Sequence, residues 1–348
     1  MRIAQVAPLF ESVPPRTYGG TERVVSYLTE ELVRAGHEVT LFASRDSVTS
    51  ARLIPSRREA LRFDPRCADP VVHHTLMLER VWTHRHEFDV IHSHLGYPFY
   101  PFARRCRVPT VTTLHGRLDL SDLVDVYDEY REIPVVSISD AQRVPLPQAN
   151  WTGTVYHGLP ESLLEFHPRP RDYVAFLGRI SPEKRVDRAI EIAERVDIPL
   201  RIAAKVDKAD ERYFTEVVKP LLDRPHVEWI GEIGEAEKGD FLGGARALLF
   251  PIDWPEPFGL AMIEALACGT PVVAFRGGST PEIIEHGVTG FLVESVDEAV
   301  AAVGAVSGLR RTSCRSAFEI RFSAARMARD YVAIYERLAG GDLQRASA

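Results

Sequence analysis

The chain has 348 residues, 45% apolar and 26% charged, with a net charge of -7 at pH 7 and a pI near 6.0. That balance suits a globular enzyme with sizeable cores and gives bulk-charge attraction to nucleic acid nothing to work with, so no nucleic-acid partner is expected. No apolar run reaches the ~18 residues of a membrane span, so any membrane contact is expected to be peripheral, through a local basic patch.

The opening stretch "MRIAQVAPLF" reads as a strand rather than a signal peptide. Short apolar β-rich runs follow at 38–44, 89–94, 110–115, 134–139 and 154–158. The segment Thr21 to Ala35 reads as an amphipathic helix ending at Gly36. Residues 45–70, charged and proline-bearing, read as an exposed loop. Residues 157–172, "HGLPESLLEFHPRPRD", read as a linker. The pattern then restarts, with strands at 172–178, 199–204, 226–231, 245–251, 271–275 and 290–293, and closes on a helical tail. Strands alternating with helices predict parallel sheets covered on both faces. The fold class expected is α/β, with two doubly wound, Rossmann-like domains at 1–158 and 159–322. A C-terminal helix at 323–348 is expected to pack back on the first domain. Such sheets bind ligands beyond the C-terminal ends of their strands, and two of them facing one another would form a cleft.

The four cysteines, Cys67, Cys106, Cys268 and Cys314, have neither metal-ligand spacing nor a disulfide pattern, which fits a reducing, cytoplasmic location. No metal is expected.

Four motifs carry candidate chemistry. In "WPEPFGLAMIEALACGTPVVAF" (254–275), Glu264 is the only charge in an otherwise apolar helix. A buried carboxylate needs partners: either an internal arginine or backbone N–H, or a polar ligand such as a pair of sugar hydroxyls. Glu256 lies eight residues earlier, after a strand, where Pro257 and Gly259 set up a turn into the helix whose first N–H groups favour an anion. In "FLGRISPEKRVDRAI", Gly178 ends a strand, Ser181 and Pro182 resemble a helix start, and Arg179 and Lys184 bracket it. Cations at a helix N-terminus make sense with an anion between them, or the turn is simply paired with Glu183 or Asp187. Gly19 and Gly20 in "YGGTERVVSYL" open a helix after the first strand without the full dinucleotide spacing. Gly277 and Gly278 in "RGGSTPEII" suit either a capping turn or close approach of a sugar or phosphate. His115 sits at a strand's C-terminal tip, and His92 and His94 share a strand face without a third metal ligand placed by spacing.

Taken together, these motifs resemble glycosyltransferase family 4, of GT-B fold, over almost the whole chain. Glu256 and Glu264 match its E-x7-E motif, "GRISPEK" its G-R-x-x-x-E-K element and "YGGTER" its glycine loop. The resemblance implies retaining, metal-independent transfer of a hexose from a nucleotide-diphosphate sugar, UDP-glucose or GDP-mannose, to a hydroxyl acceptor, with no cofactor. The first domain would be the acceptor side and the second the donor side. It implies Arg179 and Lys184 on the donor diphosphate, Glu264 on the ribose hydroxyls and Glu256 on the transferred sugar. Backbone amides of Phe258, Gly259 and Leu260 would touch phosphate or sugar. His115 would contact the donor sugar, and Gly19 and Gly20 the phosphates and acceptor. Three departures stand out: Arg185 where the family commonly has glycine, "AAKVD" (203–207), which brings in Lys205 as a donor contact, and a long proline-rich loop at 9–18. The alternatives are a nucleotide-sugar 2-epimerase and a non-catalytic nucleotide-sugar-binding subunit.

Overall fold

The computed structural model describes residues 1–16 and 19–346. The chain divides into two compact units, Met1–Pro160 together with the C-terminal segment from Ala324, and Glu161–Ser323.

The first unit is a seven-stranded sheet: β1 (Arg2–Val6), β2 (Glu38–Ser44), β3 (Arg52–Arg57), β4 (Val90–Ser93), β5 (Thr110–Thr113), β6 (Val135–Ser137) and β7 (Trp151–Thr154). The spatial order is β3-β2-β1-β4-β5-β6-β7, and every pairing is parallel. Parallel strands need crossovers that cover both faces. Here these include α1 (Gly20–Arg34), α2 (Pro70–His84), α3 (Tyr100–Ala103) and α4 (Ser121–Glu129). The helix read at 21–35 is α1, and Gly36 follows it at φ 87°.

Two expectations need correction. Residues 45–70 are not all loop, because β3 runs through them. Its Pro55 and flanking arginines hide the strand signal, yet β3 is an edge strand, where a missing N–H and solvated charges are tolerated. The last strand is Trp151–Thr154 rather than 154–158. It too lies at an edge and is only partly buried, so its apolar pattern is weak.

The second unit holds β8 (Val174–Ile180), β9 (Leu200–Val206), β10 (Val227–Gly231), β11 (Leu248–Phe250), β12 (Val272–Phe275) and β13 (Gly290–Val293). Their order is β10-β9-β8-β11-β12-β13, again with parallel pairings throughout. The helices are α5 (Val186–Val196), α6 (Glu211–Tyr213), α7 (Glu235–Gly243), α8 (Leu260–Ala267), α9 (Thr280–Ile283), α10 (Val296–Ala305) and α11 (Arg311–Arg321). α5 buries Val186, Ala189, Ile190, Ile192 and Ala193, the one-sided stripe expected of a helix covering a sheet.

The strand order reverses between β1 and β4 in the first unit and between β8 and β11 in the second. Neighbouring crossovers leave in opposite directions there and open a crevice at the strands' C-terminal ends. The final helix, α12 (Ala324–Ala346), belongs to the first unit and packs against α1. Its Tyr331 and Tyr335 are buried.

Candidate functional site

The switch point of the second sheet gathers the predicted charges. Gly178 does not end its strand. β8 continues to Ile180, and Arg179 stands directly opposite Lys205 of β9. Lys205 Nζ meets Asp207 Oδ1 at 2.8 Å, and Arg179 has Asp207 at 3.7 Å and Asp210 at 3.5 Å, besides an ion pair with Glu183. The guanidinium is thus held by acids, Glu183 among them.

Ser181 and Pro182 do not start a helix. The Lys184 N–H bonds the Ser181 carbonyl in a turn, and α5 begins only at Val186. The break is Arg185, in the left-handed region at φ 52° and ψ 52°. An L side chain enters that region reluctantly, which accounts for glycine at this place in the motif. Arg185 is held there by Asp187 at 2.8 Å and Asp253 at 2.9 Å.

Asp253 belongs to the loop that carries Glu256, and its N–H bonds the Glu183 carbonyl at 2.9 Å, tying the β8–α5 and β11–α8 loops together. Lys184 forms an ion pair with Glu256 Oε2, which also accepts from Trp254 Nε1 at 3.0 Å. The ammonium lies 5.1 Å from the Trp254 ring and 5.5 Å from that of Phe250.

Gly259 precedes α8 at φ 81°, and a Cβ there would sit 2.7 Å from Met262 Cε. The glycine therefore lets the chain turn sharply enough for the Leu260 end of α8 to follow Glu256 closely. Phe258 is buried, and its carbonyl accepts from Ser279 Oγ at 2.8 Å. Gly278 answers its own open question. At φ 55°, a Cβ would lie 2.3 Å from the Glu256 carbonyl oxygen and 2.4 Å from its nitrogen. Gly278 makes room for the Glu256 backbone, whose carbonyl accepts from the Ser279 N–H at 2.9 Å, while Gly277 lies against the Trp254 carbonyl, 3.0 Å from where a Cβ would sit.

Glu264 is 3% exposed on α8. Lys238 Nζ of α7 bonds its Oε1 at 2.5 Å. Lys238 is not among the residues read from the sequence, and it gives the carboxylate a partner inside the protein. Both acids of the motif are therefore paired with a lysine from another element.

In the first unit, Gly20 begins α1 and Gly19 is its N-cap. His115 follows β5 and belongs to a histidine cluster. His94 Nδ1 lies 2.9 Å from His115 Nε2, His94 Nε2 is 2.8 Å from Gln5 Oε1, and His115 and His157 stack at 5.2 Å. His92 joins Tyr335 and Thr113, each at 2.7 Å. Among the described residues, no group of three His, Cys, Asp or Glu is arranged to hold a metal ion, and no helix is long and apolar enough to cross a membrane.

Burial pushes His92, His94 and His157 well below the usual histidine range, helped by neighbouring imidazoles, and pushes His115 down to about 3. These rings stay neutral in the fold, while the unfolded chain protonates below about pH 6.5. Stability is therefore lost as pH falls below that value. Glu22, raised to about 7 by burial and then by Glu11, works in the opposite direction between its unfolded value and about 7. Four histidines outweigh one carboxyl. Acidification from about pH 6.5 to 5.5 is expected to cost the first unit roughly 3 kcal/mol, read as a falling thermal midpoint across that window. A flat midpoint would mean that the cluster is protonated in the fold.

With this geometry in view, the relatives are informative. Residues 18–175 match the model of Glycosyltransferase Family 4, and residues 165–307 match that of Glycosyl transferases group 1. The phosphatidyl-myo-inositol mannosyltransferase of Mycolicibacterium smegmatis is 28% identical over 344 residues, covering 89% of this chain and 84% of its own. The crystal structure of AviGT4, a glycosyltransferase involved in avilamycin A biosynthesis, superposes with a TM-score of 0.76 at 25% identity, covering 98% of each chain. Anabaena HepE, solved in complex with UDP-glucose, superposes with a TM-score of 0.72 at 18% identity, covering 98% of this chain and 100% of its own. Two all-parallel α/β units, the paired acids at the second switch point and family matches running from residue 18 to residue 307 lead to one assignment: the chain is a glycosyltransferase and belongs to glycosyltransferase family 4, with the GT-B architecture.

Proposed function

We propose that the protein transfers a hexose from a nucleotide-diphosphate sugar to a hydroxyl acceptor with retention of anomeric configuration and without a metal ion. The observation that carries this reading is the convergence of Arg179, Lys184, Glu256 and the start of α8 at the switch point of the second unit. The donor's anomeric carbon–oxygen bond breaks, and the nucleoside diphosphate leaves with the electron pair. The acceptor oxygen bonds the same carbon from the same face, and its proton passes to the departing phosphate. Charge grows on that phosphate, so fixed cations and helix N–H groups lower the barrier. Arg179 and Lys184 then exchange their carboxylate partners for phosphate oxygens. Lys205 shares Arg179's surroundings and adds a third cation. Glu264 accepts from the ribose hydroxyls, Glu256 contacts the transferred sugar, and neutral His115 offers a hydrogen bond to a sugar hydroxyl.

UDP-glucose leads as donor, supported by its presence in the HepE structure. GDP-mannose follows, in keeping with the mannosyltransferase relative. The acceptor is a hydroxyl compound: a sugar, a lipid-linked sugar reached by peripheral contact with the inner face of a membrane, or a small metabolite. We place the reaction in the cytoplasm. NMR of an early product reads the anomeric configuration directly. Retention is expected, and an inverted linkage would overturn the mechanism.

A further inference from the structure

Trp254 touches both charges of the Lys184–Glu256 pair. Its Nε1 donates to Glu256 Oε2 at 3.0 Å, and its ring lies 5.1 Å from Lys184 Nζ. The two charges differ in mobility. Lys184 hangs on a flexible four-carbon stem. Glu256 sits on a fixed backbone, with Gly278 packed against its peptide and Ser279 bonded to its carbonyl. Glu256 is 7% exposed, so losing a partner is costly for its carboxylate. An anion that draws Lys184 away removes one of the two partners of Oε2, and the indole N–H is the one that stays.

We propose that Trp254 is a positioning residue for this pair: its N–H holds the Glu256 carboxylate in place while its ring face carries Lys184 until a diphosphate takes the ammonium. The aromatic face supports the cation beside Glu256, and the N–H keeps the carboxylate partnered once Lys184 leaves. The role rests on the donor reading given above, because only an anionic ligand at this site draws Lys184 off.

Two variants separate the two functions of the indole. Trp254→Phe keeps a ring face and loses the N–H; Trp254→Leu loses both. The measurements are release of nucleoside diphosphate from UDP-glucose or GDP-mannose, calorimetric titration with UDP and GDP, and the thermal midpoint. Trp254→Phe is expected to lower kcat about tenfold or more, the loss typical of one hydrogen bond to a charged group, with donor KM nearly unchanged and a fall in midpoint too small to account for the lost rate. Trp254→Leu is expected to lower kcat and also to raise donor KM several-fold. Parental kcat in Trp254→Phe, or a loss that follows the midpoint alone, overturns the proposal. A parent protein that binds neither UDP nor GDP overturns the donor reading, and this role with it; a parent that binds while Trp254→Phe turns over normally overturns only the role.

Discussion

Lys184→Ala is expected to lower turnover by roughly 10²–10³, the loss seen when one preorganised transition-state donor is removed. The ammonium is one of three side-chain cations, with Arg179 and Lys205, assigned to the leaving diphosphate, and it is 19% exposed, next to two aromatic rings. The variant also takes a partner from Glu256, so its thermal midpoint must be measured beside its rate. A rate loss that far exceeds any fall in folded fraction marks a role in chemistry. Arg179→Lys is expected to lose rate too, since an ammonium cannot reproduce the bidentate fork. EDTA is expected to leave the parent nearly unchanged, and magnesium to restore part of the rate of Lys184→Ala by supplying the missing charge. If EDTA abolishes turnover and Lys184→Ala is close to the parent, a metal carries the leaving-group charge.

Lys238→Met is expected to be the most destabilising single change among the site residues. It leaves the Glu264 carboxylate, whose side chain is 4% exposed, without the Lys238 ammonium. Breaking a buried pair from one side costs about 3–5 kcal/mol, which for a unit of this size lowers the thermal midpoint by on the order of 10 °C. The double variant Lys238→Met/Glu264→Gln is expected to recover much of that loss, because the stranded charge is gone. A chain of two compact units need not unfold in one step, so the transition that moves must be identified before a free energy is assigned. Equal midpoints for parent and Lys238→Met would show that water reaches Glu264.

β12 and β11 are buried throughout and α8 from Met262 onward, so they are apolar and their existence and order are legible from composition. The edge strands β3 and β7 are half-solvated, and the periodic signal fades with the burial. Glu264 stands out because a lone charge in an apolar run breaks the pattern. Its partner does not: in "GEAEKGDFL" Lys238 is one charge among several at a helix start, and only the packing of α7 against α8 selects it. A lysine near a helix N-terminus opposes the dipole, and that was the available hint. Trp254 was likewise hidden, since its N–H reaches a residue two positions on only because the Gly277–Gly278 turn fixes their shared loop. Tyr335 joins His92 across 243 positions of sequence and Gln5 joins His94 across 89, pairings that no local pattern encodes.

The most direct test of the account is calorimetric titration, in EDTA, of the parent and of Glu264→Gln with UDP and with GDP. One of the two nucleotides is predicted to saturate a single site on the parent, and Glu264→Gln is predicted to weaken that binding by about tenfold or more through the ribose hydroxyls. A parent that binds neither nucleotide, or a Glu264→Gln variant of normal stability that binds as tightly as the parent, would contradict the assignment of the second unit's switch point as the donor site.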